Sequence, residues 1–96
     1  MNDVRAKVHK FLSPPALTGK QMCVIVAEVE NKYYESAPNY KPIIDPQKEI
    51  WEASTDGSIM GVCSRFEIAK GLMLFMGSGW LSDESTERIA DVLEIS

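Results

Sequence analysis

The apolar side chains of this chain recur at intervals of three and four residues, between breaks at Pro14-Pro15, residues 36–46, Asp56-Gly57 and Gly77-Ser78-Gly79. Such spacing puts them on one face of an α-helix and runs against the two-residue alternation of a half-buried strand. A chain of 96 residues has room for one core, so each helix must bury its stripe against its neighbours. The sequence therefore predicts an all-α fold, a compact bundle of about five short helices forming a single globular domain over residues 1–96. Its 45% apolar and 25% charged side chains are those of a globular domain rather than a linker or a fibre.

The first helix is expected from Val4, Val8, Phe11 and Leu12, with Arg5, Lys7 and Lys10 turned away and the prolines as its stop. The second has the best start signal. Thr18 followed at the third position by Gln21 spells a capping box, and Leu17 can staple onto Met22. From there Met22, Ile25, Val26, Val29 and Tyr33 share a stripe opposite Glu28, Asn31, Lys32 and Glu35, which predicts a helix over about 19–36. Asp45-Pro46 is an N-cap followed by proline at the first helical position, opening a short helix with Ile50 and Trp51. Ser64 and Glu67 repeat the capping-box spacing and predict a helix through Phe66, Ala69, Leu72, Met73 and Met76, ending at Gly77. The last begins at Ser82, with Asp83 and Glu84 at the positive end of its dipole and Ile89, Val92 and Leu93 inward.

One alternative stays open. Asp56-Gly57 flanked by Glu49–Thr55 and Ser58–Cys63 is also a hairpin signal, which would make the fold α+β with a β-hairpin near 50–62.

Charge narrows the classes of partner. Residues 1–48 hold seven Lys and Arg against five Asp and Glu, whereas residues 49–96 hold three against nine. A chain of net charge −4 argues against general binding to nucleic acid or anionic membranes, while its acidic half suits a basic partner. Cys23 and Cys63 lie forty positions apart in apolar surroundings, without the dense spacing of a disulfide-stapled domain, and read as reduced core residues. No apolar run approaches the roughly 20 residues that span a bilayer, so the expected location is cytoplasmic.

Two constellations stand out as partner-binding candidates. Asp83, Glu87, Asp91 and Glu94 line up as an acidic ridge on the outer face of the last helix, about 6 Å apart, close to the phosphate spacing of a nucleic-acid strand. The same pattern suits an ordinary solvated face. Tyr33, Tyr34, Tyr40 and Trp51 lie in or beside the loop at 35–45 with Lys41, and aromatic residues on a loop serve either as interface anchors or as local cover for the core. In addition, Leu72, Met73, Leu74, Phe75 and Met76 are apolar all round the last turn of their helix, a surface for self-association as a homo-oligomer.

Catalytic signals fail on inspection, so the chain reads as no enzyme. Thr18-Gly19-Lys20-Gln21 lacks the upstream glycine and the Ser or Thr of a phosphate loop, and Gly77-Ser78-Gly79 lacks the nucleophile-elbow spacing. His9, the single histidine, has no acid at helical spacing, and with Cys23 and Cys63 it makes no structural zinc pattern. No cofactor or metal is expected. The run from Ser85 to Ser96 is similar to the first helix and turn of a helix-turn-helix but ends where a recognition helix should begin.

A short acidic chain with a charged ridge and an aromatic loop resembles, in profile alone, the small inhibitors that phages and mobile elements direct at host proteins, anti-CRISPR and other anti-defence proteins among them. That profile implies a non-catalytic protein-interaction module whose partner is another protein, such as a nucleic-acid-binding one. Two alternatives accompany it. A DNA-binding regulator would use Arg5, Lys7, Lys10 and Lys20, and an oligomeric nucleotide-binding protein would use Tyr33, Tyr34 and Lys41.

Overall fold

The computed structural model of the chain describes residues 7–8, 17–77 and 79–94. Its elements there are α1 (Gly19–Tyr33), α2 (Pro46–Ala53), a 3₁₀ turn (Thr55–Gly57), α3 (Ile59–Met76) and α4 (Asp83–Val92). Among the described residues there are four α-helices and no strand. Of the first expected helix only Lys7 and Val8 are described, both helical; Val4, Arg5, His9, Lys10, Phe11 and Leu12 lie outside the described residues.

α1 is the hub, packing on α3 most extensively and on α2 and α4 as well. Serving three neighbours explains why Met22, Cys23, Ile25, Val26, Ala27 and Val29 are all buried, a broader band than one stripe. Val8, Ile50, Val62, Phe66 and Ile89 complete the same hydrophobic cluster from the other segments. Burying a side chain of this size is worth about 1.5–3 kcal/mol, so one continuous cluster supplies most of the folding drive.

The capping chemistry of α1 forms as the sequence implies. The Thr18 hydroxyl accepts from Gln21 N at 3.1 Å and Gln21 Oε1 accepts from Thr18 N at 2.8 Å. Gln21 Nε2 also donates to Val92 O at 3.1 Å, tying the start of α1 to the end of α4. The helix stops at Tyr33, not near 36, because Tyr34 caps it and the chain turns through Ala37 and Tyr40. Tyr33 is exposed rather than part of the buried stripe.

The hairpin alternative is not supported. Glu49–Ala53 continues α2, and Asp56-Gly57 belongs to a 3₁₀ turn between two helices, with Gly57 at φ +64°. An Asp-Gly pair supplies a left-handed residue to either kind of turn, and here the flanking caps decide. Asp45 accepts from Lys48 N at one end and Ser58 accepts from Gly61 N at the other.

α3 thus opens six residues before the expected cap at Ser64. Ser64 sits inside the helix, where its hydroxyl donates to Met60 O at 3.1 Å. Gly77, at φ +93°, ends α3 as expected, and Ser82 caps α4 by accepting from Ser85 N. Cys23 is buried, but Cys63 is exposed, which corrects its assignment to the core.

Candidate functional site

The loop between α1 and α2 is held by its own backbone. Ala37 N donates to Tyr34 O at 2.8 Å and Tyr40 N to Ala37 O at 3.2 Å, so the chain reverses in two successive turns. The return run is pinned to α1 where Ile43 N donates to Asn31 Oδ1 at 2.7 Å, and Ile43 packs on the core. Glu49 then reaches back from α2, its Oε2 accepting from Ile44 N and Asp45 N at 3.2 Å each. Prolines at 38, 42 and 46 fix φ along the segment, so little freedom is left to lose on binding.

This loop walls a cleft of about 480 Å³ between α1, α2 and one flank of α3. Tyr34, Tyr40 and Lys41 lie on its rim, with Ile43, Ile50 and Ala53 as its apolar lining. Glu30 of α1 and Arg65 of α3 also line it. Arg65 Nε donates to Glu30 Oε2 at 3.1 Å, and Nη2 to Oε1 makes the pair bidentate, both side chains being about one-quarter exposed. The pair presents hydrogen-bonding edges without a net charge, and the outer charges, Lys41 and Glu49, also offset each other. A second concavity of about 550 Å³ lies on the other side of the same return run, against the start of α4.

The aromatic residues expected to act together are divided. Tyr34 and Tyr40 share the cleft with Lys41. Tyr33 lies outside it, its ring edge-on to that of Tyr34 with centroids 5.0 Å apart. Trp51 is on another side of α2, against Gly19 and Gly57, where its indole covers the start of α1 and the 3₁₀ turn.

Along α4, Asp83, Glu87 and Asp91 are exposed and share the outer face. Glu94 lies beyond the helix end at φ +61°, so the ridge is three residues long rather than four. Of the apolar turn at 72–76, Met73 is buried in the core and Leu72 is partly buried against it. Leu74, Phe75 and Met76 remain exposed. Lys20 is exposed on the first turn of α1, but Arg5 and Lys10, needed for a basic N-terminal face, lie outside the described residues, as do His9 and Ser78.

Glu30, Arg65, Asn31 and Glu49 carry the cleft and were not singled out by the sequence. Asn31 lies opposite the apolar stripe of α1, and there the return run meets it through Ile43 N. The signal available was weak: both Glu30 and Arg65 border apolar stripes, where a charged group needs a partner once a neighbouring element packs nearby.

Burial pushes the Cys23 thiol up from its ordinary value of 9.0, an effect the Arg65 charge partly opposes, so Cys23 stays a neutral core residue. Among the described residues no group of three or more His, Cys, Asp or Glu is placed to hold a metal ion. Among them, too, no helix is long and apolar enough to cross a membrane. Compared with known proteins, the chain matches no family model, no curated protein and no solved structure.

Proposed function

We propose that the chain is a non-catalytic protein-interaction module that seats a segment of a partner protein in the cleft at Tyr34, Tyr40 and Lys41. The observation that carries this is the braced loop: backbone turns, the Asn31 contact and Glu49 hold two tyrosines over an apolar lining before any partner arrives. Preformed aromatic anchors of this kind make hot spots, because the ordering cost has been met in folding. The neutral, ion-paired lining favours an apolar or aromatic side chain flanked by backbone polar groups. The acidic row of Asp83, Glu87 and Asp91 adds long-range attraction toward a basic partner and raises the association rate more than the affinity. An inhibitor directed at a host protein, in the manner of phage anti-defence proteins, fits this profile.

The test compares capture from the lysate of the protein's own cell by the wild type and by Tyr40→Ala. A stoichiometric partner retained by the wild type and bound about 30-fold more weakly by the variant, at equal thermal stability, supports the cleft. Equal capture by both removes it. Charge reversal at Glu87 and Asp91 should slow association without changing the dissociation rate.

A small ligand in the same cleft is the second reading, favoured by the volume of about 480 Å³, within the range of small-molecule sites. It predicts a rise in melting temperature with one member of a nucleotide and metabolite panel.

A further inference from the structure

α3 is apolar on both of its faces. Val62, Phe66, Ala69 and Met73 fill the core, and on the opposite side Met60, Ile68 and Phe75 stand 76%, 68% and 85% exposed, with Leu74 half exposed beside them. A small monomeric protein seldom leaves so many large apolar side chains together in water.

Toward its ends, this outer face pairs like with like when the helix is reversed. One row of residues four apart runs Met60, Ser64, Ile68, and the adjacent row runs Glu67, Gly71, Phe75. Reversing the helix exchanges the two rows. Met60 then faces Phe75, Ser64 faces Gly71, and Ile68 faces Glu67. Across a two-fold axis residue i meets j while j meets i, so what counts is that the paired residues suit each other: Met60 with Phe75 is apolar on apolar and Ser64 with Gly71 small on small, while Ile68 lies beside Glu67. Rows four apart are also the ridges that interdigitate when two helices cross.

Gly71 supplies a separate argument. Glycine in the middle of a helix is destabilising relative to alanine, so its presence needs a reason. A Cβ built on Gly71 would meet nothing within 4 Å, so no packing among the described residues accounts for it. With Ser64 it leaves a notch in the centre of the face, where a second helix can approach closely.

We infer that this face is a homodimer interface, on which a second copy of the chain packs its own α3 antiparallel about a two-fold axis near residues 67 and 68. The area is sufficient. Met60, Ile68, Leu74 and Phe75 leave on the order of 500 Å² of apolar surface, well over half of the ~800 Å² that each partner contributes to a standard interface. Glu67, beside the axis, is paired with Lys70 of its own helix at 3.2 Å, which offsets part of its charge. The face shares no residue with the cleft, so a dimer would carry two clefts free to bind.

Light-scattering mass measurement during size-exclusion chromatography tests this directly. The wild type should have twice the chain's 10.7 kDa mass, and Ile68→Glu with Phe75→Glu should return it to one chain with unchanged circular dichroism. A wild type that is monomeric at about 100 μM, or a dimer indifferent to those substitutions, overturns the inference. Register is read separately, in a Cys63→Ser background, by mixing chains carrying Ser64→Cys with chains carrying Gly71→Cys. Disulfides should join the two kinds at least tenfold faster than either kind joins itself, because only unlike positions face each other; equal rates overturn the antiparallel pairing.

Discussion

Gly61 allows the chain to turn sharply from α2 into α3. A Cβ placed there would lie 2.7 Å from Ser54 Cβ and 2.8 Å from Thr55 N, distances at which the 3₁₀ turn has to move. Ser54 cannot yield easily: it is buried, and its hydroxyl donates to Ile50 O at 2.8 Å. Gly61→Ala should therefore lower stability by about 1–3 kcal/mol despite the better helix propensity of alanine, and urea unfolding measures it. An increase in stability would mean that the turn is loosely seated. The sequence gives no hint of this role, since Gly61 sits in an apolar run and only the three-dimensional return of Ser54 makes its missing side chain necessary. Cys63 was misplaced for a related reason. Its neighbours in sequence are apolar, but it lies on a flank of α3 that leaves the core, its sulfur 3.9 Å from Met22 Sδ.

At the scale of elements, what the chain writes locally could be read. Thr18, Asp45 and Ser82 each cap the helix they precede, because a cap is satisfied within three residues and needs no tertiary contact. Ser64 and Glu67 have the same spacing and do not act as a cap. Ser58 reaches Gly61 N first, and once a helix is nucleated its propagation past Ser64 adds a bond per residue at little further cost. The two serines can be told apart by measurement. Ser58→Ala should cost about 0.5–2 kcal/mol of stability, whereas Ser64→Ala, removing only a bond back to Met60 O inside the helix, should be neutral within about 0.5 kcal/mol. Reversal of that order in thermal unfolding would put the start of α3 where the sequence alone suggested.

Across the whole molecule, α1 is bound to its neighbours by side chains distant in sequence, which is why the cleft was only half legible. Tyr34, Tyr40 and Lys41 could be found as aromatic and basic residues on a loop, but pairing Glu30 with Arg65 needs the packing of α1 on α3. Glu28 and Arg88 likewise join α1 to α4, with Nε to Oε2 at 2.7 Å and Nη2 to Oε1 at 3.0 Å. The two partners differ in their surroundings: the Glu28 side chain is 11% exposed and that of Arg88 is 57% exposed. Removing one charge therefore does not mirror removing the other. Arg88→Ala leaves a mostly covered carboxylate without its partner and should cost about 1–3 kcal/mol, while Glu28→Ala releases an arginine that can turn into water and should cost about 0–1 kcal/mol. Urea unfolding of the two variants checks this, and equal costs would show that Glu28 is solvated once Arg88 is gone and that α4 is held mainly by Ile89, Leu93 and the Gln21 bond to Val92 O.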